Sequence, residues 1–335
     1  MLSEDFQIVA MKTFTIMLAL ILGSLYSTNL YADNRKRPMI DIEQTSKRLQ
    51  DHVKALTVNI GERSVHVPEN LKRTASYITS SYKDMGVSVH SQTYSYADLP
   101  VENIVAEISF SPNPQHRFLV GAHYDSVTGS VGADDNASAV AVQLEVARQL
   151  STRMGKEILD LAVKFVSFAL EEPPVYGTRH MGSRVYAKMA RREKEQIDGM
   201  ICLEMVGYTC REPGCQDYPF PLIFRDYPKT GNFIGIINNF KSREFAGKLA
   251  QQFQNNKQLP VLKLTVPFNG WVIPAVRLSD HASFWDKGFK AVMITDSAFY
   301  RNPYYHTAAD TMDKLDFEFM AELVENLLLF FLSQR

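Results

Sequence analysis

Five short stretches of the sequence carry side chains able to hold a metal or move a proton. The first two are Gly121-Ala-His123-Tyr-Asp125 and Gly132-Ala-Asp134-Asp135-Asn136. An imidazole ligates zinc through one ring nitrogen. Asp125, two residues on and on the same side of an extended chain, is placed to take the other ring N–H and fix the tautomer. Asp135 or Asn136, where a loop turns into a helix, would serve equally as an ordinary helix cap. Next, Phe168-Ala-Leu-Glu171-Glu172-Pro173-Pro174 sets two carboxylates after an apolar run. Such a pair is costly unless something neutralises it. A dication does so, and lets one carboxylate ligate while its neighbour takes a proton from water. Glu204 interrupts Met200-Ile-Cys-Leu-Glu-Met-Val206 and needs a metal or a salt bridge. His306 stands in the polar, aromatic loop Asn302-Pro-Tyr-Tyr-His306-Thr-Ala-Ala-Asp310-Thr. Taken singly, each has a bland reading: a surface acid pair, a hydrogen-bonded histidine, a surface histidine.

The elements around these residues must bring them together. Apolar spacing predicts a helix from Pro68 to Met85, stopped by Gly86, and strands over Val87 to Tyr96 and Val101 to Phe110. Arg117 to Ala122 reads as an apolar strand, and Asn136 to Leu150 as a helix with Val140, Leu144 and Ala147 on one face. Leu161 to Ala169, Met200 to Val206 and Lys290 to Thr295 read as further strands, and Phe317 to Leu332 as an amphipathic helix. Strands alternating with helices predict a three-layer α/β/α sandwich with a mixed, largely parallel central sheet. In such sheets ligands gather beyond the carboxyl ends of strands, where His123, Glu171, Glu172 and Glu204 fall.

Composition narrows the function classes. The chain has 335 residues, 45% hydrophobic and 22% charged, ordinary for a globular protein and unlike a disordered one. Lys plus Arg (36) nearly cancel Asp plus Glu (37), so no charge footprint for nucleic acid is present and function must come from a local site. Lys12, the apolar run Phe14 to Leu22 and the small residue Ala32 read as a signal peptide over 1–32, with translation starting at Met1 or Met11. The expectation is a periplasmic or secreted protein, without stable membrane insertion after cleavage, whose catalytic domain is a single unit over 33–335. Cys210 and Cys215 flank a turn and could form a short-loop disulfide in an oxidising compartment. Cys202, in an apolar run, reads as a buried thiol.

Together, in this order, the five clusters resemble the co-catalytic zinc exopeptidases, the family of bacterial leucyl aminopeptidases, glutamate carboxypeptidase II and glutaminyl cyclase. The resemblance extends from about Gly61-Glu-Arg63 to the C-terminal helix. It implies two Zn2+ ions and a peptide or aminoacyl substrate. It makes Asp134 the bridging ligand, with His123 and Glu204 completing one metal site and Glu172 and His306 the other. It makes Glu171 the general base, gives Asp125 the role of orienting His123, and implies a cis peptide between Asp134 and Asp135. The activity so implied is hydrolysis of peptide bonds at chain termini, with aminopeptidase as the leading form.

Two features depart from the family pattern. Many relatives place Asp where Glu204 stands, and the usual Glu-Glu-x-Gly-Leu-x-Gly-Ser is replaced by a longer run from Glu171 to Ser183. Substrate preference therefore does not transfer. Three other readings share the fold: a one-zinc glutaminyl cyclase, a carboxypeptidase and a catalytically inactive binding protein. A carboxypeptidase needs a cationic clamp, for which Arg211, Arg225, Arg277 and Arg301 are the candidates. Ser279-Asp280-His281 matches a family segment near the pocket, but no Gly-x-Ser-x-Gly elbow supports a serine nucleophile. Trp271, Phe299, Tyr300, Tyr304 and Tyr305 are candidates to line a substrate cleft.

Overall fold

The computed structural model describes residues 39–220 and 224–334. The signal segment expected over 1–32 lies outside the described residues. After helix α1 (Ile42–Lys54) come α2 (Pro68–Asp84), β1 (Ser88–Tyr96), β2 (Leu99–Ser109) and β3 (His116–His123). These lead to α3 (Ala139–Ser151), β4 (Leu161–Phe168), α4 (Gly182–Arg192) and β5 (Gly199–Glu204). The remainder is β6 (Ile234–Asn239), α5 (Arg243–Phe253), β7 (Val261–Val266), α6 (His281–Asp286), β8 (Ala291–Thr295) and α7 (Phe317–Phe331).

The strands form one eight-stranded sheet in the order β1-β2-β4-β3-β5-β8-β6-β7. Its centre, β4-β3-β5-β8, is parallel; β2 and β6 join it antiparallel, β1 pairs antiparallel with β2, and β7 pairs parallel with β6. Side-chain alternation divides the core between the two faces. Phe118, Val120 and Ala122 of β3 pack with the larger layer, while Leu119 packs with Val105, Val166 and Phe168 on the other. The larger layer holds α1, α2, α3, α5 and α7, and the opposite one holds α4 and α6. The chain is thus the expected three-layer α/β/α sandwich with a mixed sheet.

The central strands read as continuous apolar runs because both faces are covered. β4, Leu-Ala-Val-Lys-Phe-Val-Ser-Phe, is buried at every position but Lys164. Helix α7 is more enclosed than an amphipathic reading implies. It contacts α1, α3 and α5, and Phe319, Met320, Leu323, Val324, Leu327, Leu328, Phe330 and Phe331 are all buried. Asp316 caps its start, accepting the Phe319 N–H at 3.0 Å.

This arrangement decides where the chemistry sits. β3 ends at His123, β4 ends at Phe168 just before Glu171, and β5 ends at Glu204. Since these three strands are adjacent and parallel, their carboxyl ends open onto one crevice.

Candidate metal centre

His123, fully buried at the end of β3, is the first fixed point. Its Nδ1 lies 3.3 Å from Asp125 Oδ1, and its Nε2 lies 3.3 Å from Asp135 Oδ1 and 3.5 Å from Glu204 Oε2. Asp125 also accepts the backbone N–H groups of Glu171 and Glu172, at 3.0 Å each. One carboxylate therefore stands beside the imidazole and locks the adjacent acid pair in place.

His306 enters from the loop before α7. Its Nε2 lies 3.2 Å from Asp135 Oδ2 and 3.2 Å from Glu172 Oε2. Asp135 thus offers one oxygen to each histidine. This corrects the expectation that Asp134 bridges the two sites. The Asp134 carboxylate turns away, accepting the Gly207 N–H at 2.9 Å and the Asn302 amide at 2.7 Å. Burial pushes that carboxyl well above its usual range, and neighbouring Asp296 adds to the effect. The orientation is set by remote residues. Asp310 accepts the N–H groups of Asp134 and Asp135, while Asn136 bonds the Leu203 carbonyl and the Met205 N–H around Glu204. Gly132 is required here, with φ +52° and no room for a Cβ, which would sit 2.1 Å from the Asp135 carbonyl oxygen. The cis peptide also falls one residue later than expected, between Asp135 and Asn136.

Two overlapping triads result: His123, Asp135 and Glu204, and Asp135, Glu172 and His306, each with ligand atoms within 4.8 Å of one another. Several of these atoms are buried without a hydrogen-bond partner: both nitrogens of His123, Oδ1 of Asp135 and Oε1 of Glu172. Buried polar atoms rarely stay unpaired, and these converge, so the donor set fits dications well. Glu204, the longer acid, accepts the Ser279 hydroxyl at 2.6 Å through the same Oε2 that approaches His123. The extra methylene is thus accommodated with the carboxylate still facing the centre.

The charges are tightly interdependent. Burial alone would lower the His306 imidazole, but the Asp135 and Glu172 carboxylates override it and push it up to about 10. Burial raises Asp135, yet the two histidines outweigh it and hold the carboxyl well below its usual range. Burial, with Asp135 nearby, pushes Glu172 up to about 8. Burial also drives Glu171 well above the ordinary carboxyl range; His123 pulls against it, and Glu172 and Glu204 add to it. Glu171 stands beside the triads, and His123, Glu171 and Glu172 form a third convergent group.

Residues behind the centre hold it rigid. Arg63 is fully buried and donates to the carbonyls of Tyr124, Val131 and Gly132 at 2.8, 2.6 and 2.9 Å, tying the His123 strand end to the Asp135 loop. Neither Arg63 nor the Asp310 clamp follows from sequence periodicity. The signal, in hindsight, is their presence in the motifs Gly61-Glu-Arg63 and His306-Thr-Ala-Ala-Asp310. Asp280 is buried with both oxygens unpaired, and burial pushes it up to about 7. His281 bonds the Val276 carbonyl and packs on Trp285, a structural role.

An open cleft adjoins Glu204. Its lining is mostly apolar, including Ile237, Leu264, Leu278, Met293, Phe299 and Tyr305. Of the aromatic candidates, Phe299, Tyr300 and Tyr305 line it. Trp271 instead lies exposed under Arg277, and Tyr304 packs on Tyr208. None of the four arginines considered for a carboxylate clamp lines this cleft. Arg277 bonds Asp286 and the Asn269 carbonyl, and Arg301 bonds Gln216 and the Phe233 carbonyl. Arg211 and Arg225 extend into solvent. Cys210 and Cys215 are disulfide-bonded, and Cys202 is a buried thiol.

A family model described as Peptidase family M28 matches residues 103–331, from β2 to the end of α7. The chain belongs to Peptidase family M28. This is a zinc exopeptidase family, as the ordered clusters implied. The chain is 36% identical to the uncharacterized protein YfbL of Escherichia coli K12 over 290 residues, covering 84% of this chain and 86% of YfbL. Among solved structures, the LapA aminopeptidase of Legionella pneumophila superposes with a TM-score of 0.64 at 20% identity, covering 92% of this chain and 77% of LapA. A glutaminyl cyclase of Porphyromonas gingivalis superposes with a TM-score of 0.63 at 18% identity, covering 89% of this chain and all of the cyclase (100%). These two structures share the M28 fold with the chain, although their reactions differ. Among the described residues, no helix is long and apolar enough to cross a membrane.

Proposed function

We propose that this M28 protein is a zinc aminopeptidase with two metal sites that share Asp135. The observation that carries the proposal is the placement of Asp135 between His123 and His306, with Glu204 and Glu172 completing a triad on either side. His123, Asp135 and Glu204 would hold one Zn2+, and Asp135, Glu172 and His306 the other. Bound there, the ions would supply Lewis-acid polarisation of the scissile carbonyl and acidify water. Glu171, buried beside both triads, takes the proton from the attacking water and passes it to the departing amine. Asp125 holds Glu171 and Glu172 by their N–H groups and stands beside His123. The apolar cleft beside Glu204 would receive a large apolar side chain, and the surrounding carboxylates suit a cationic N-terminus.

A glutaminyl cyclase needs one zinc, whereas here both histidines stand among carboxylates. The carboxypeptidase reading loses support because none of the four arginines named above lines the cleft beside the centre. The periplasmic or secreted location remains part of the proposal, resting on the signal-like N-terminus. The deciding experiment is a substrate panel on metal-analysed protein, with and without chelator. The panel contains leucyl and phenylalanyl amides, an N-acetylated dipeptide and peptides with N-terminal Gln. Release of free Leu or Phe by protein carrying about two zinc ions per chain is expected. One zinc per chain with cyclisation of N-terminal Gln would overturn the proposal.

A further inference from the structure

We propose that Gln216 is a positioning residue: anchored by the Cys210–Cys215 disulfide, it shapes one wall of the cleft and so sets the preference for a large apolar terminal residue. The inference rests on the aminopeptidase reading above. The wall follows β8, and Ser297, Ala298, Phe299 and Tyr300 all line the cleft beside Glu204. Its backbone lies where side chains are disfavoured, with φ +91° at Ser297 and +51° at Ala298. Neither residue is glycine, so each costs energy and persists only where the surroundings hold it. Asp296 supplies part of that hold, accepting the Ala298 N–H at 2.9 Å. Phe299 packs on Tyr305, with 5.4 Å between ring centres, and Tyr305 stacks on His306 at 3.8 Å. The wall is thus in contact with the metal centre.

The rest of the hold comes from Gln216, on the segment between β5 and β6. Its side chain is buried, and its amide pairs reciprocally with the Ser297 hydroxyl, donating at 2.9 Å and accepting at 3.1 Å. Nε2 also donates to the Tyr300 carbonyl at 3.3 Å, and the Asp217 N–H donates to the same oxygen at 2.7 Å. Oε1 accepts the buried Arg301 Nε at 2.8 Å. Arg301 can only donate, so it fixes which end of the amide is oxygen. One side chain therefore grips both ends of the wall. Gln216 directly follows Cys215, whose disulfide to Cys210 closes a short loop. Cys210 exchanges both backbone hydrogen bonds with Gly231, at 2.9 and 2.8 Å. A Cβ on Gly231 would lie 2.4 Å from Arg301 Nε and 2.7 Å from Cys210 Sγ, so only glycine lets both pack this close to that backbone. The covalent link thus fixes the chain just before Gln216, against the same arginine that its amide bonds.

The test compares kcat/KM of the zinc-loaded protein on phenylalanyl and alanyl p-nitroanilides. Wild type should favour the phenylalanyl substrate, and Gln216→Ala should lower that ratio about tenfold, mostly through KM. Gln216→Glu keeps an acceptor for Arg301 and for the Ser297 hydroxyl but loses the donor to Tyr300, so it should retain part of the preference. The double variant Cys210→Ser/Cys215→Ser should lower the ratio in the same direction, and adding Gln216→Ala to it should lower the ratio little further. The ratio is internal to each protein, so any loss of folded material cancels. A ratio that Gln216→Ala leaves unchanged overturns the inference, and one that the cysteine variant leaves unchanged overturns the part given to the disulfide. Calorimetric titration of the zinc-loaded protein with phenylalaninol and alaninol reads the cleft without turnover. A preference for phenylalaninol that Gln216→Ala abolishes supports the inference even if no substrate is cleaved, in which case only the peptidase reading fails. Equal binding of the two amino alcohols by wild type overturns it.

Discussion

Asp310 grips Asp135 by its main chain, accepting its N–H through Oδ2 at 3.1 Å while Oδ1 takes the Asp134 N–H at 2.9 Å. The Asp135 carboxylate is left to face the two histidines. Asn at position 310 would keep one acceptor but turn its amide donor toward the other N–H. Asp310→Asn should cost about 1–3 kcal/mol of stability and weaken zinc binding roughly 10–100-fold. Denaturant unfolding of the metal-free protein and chelator competition measure the two effects. Unchanged zinc affinity would show that the clamp does not position the ligand.

The neighbours Asp134 and Asp135 should respond differently to the same change. Asp135→Asn should lose metal and peptidase activity together, because both triads share that carboxylate. Asp134→Asn should keep its metal, since its carboxyl serves Gly207 and Asn302. Its cost should appear mainly in stability, at about 1–3 kcal/mol. Metal analysis beside thermal unfolding separates the outcomes, and a metal-free Asp134→Asn protein would contradict the geometry.

Glu171→Gln should retain zinc, because Glu172 rather than Glu171 completes the triad with His306. Turnover should fall by roughly 10²–10⁴-fold through loss of the base. Near-normal kcat in metal-replete protein would remove Glu171 from that role.

Zinc binding to the metal-free protein should release protons at pH 7. His306, pushed up to about 10, holds its ring proton there, and Glu172, at about 8, is largely protonated. Ligation requires both to lose them, so apparent affinity should rise from pH 6 to 8, by up to about tenfold per pH unit for each proton displaced. Calorimetry in buffers of different ionisation enthalpy counts the protons. The same shift stabilises the metal-free fold fully below the ordinary histidine value of 6.5, and that contribution fades as pH rises through about 10. A pH-independent zinc affinity would contradict the charge balance described.

The layered fold was legible because burial leaves a periodic mark on sequence. Strands covered on both faces must be apolar throughout, as in Leu161–Phe168, and this exposed the acids that follow them. The elements after Glu204 were harder to read. β7 is only partly buried along most of its length, and α6 spans just His281–Asp286, too short for a clear helical period.

The sequence by itself determined which clusters meet: His123, the Glu171-Glu172 pair, Glu204 and His306 each follow an apolar strand or precede the last helix in a recognisable order. Only the tertiary structure decided between Asp134 and Asp135. Neighbouring side chains leave the backbone in different directions, and the choice depends on φ and ψ held by Asp310, Asn136 and Gly132. Asp310 lies 175 residues from Asp135, so no local pattern encodes that hold.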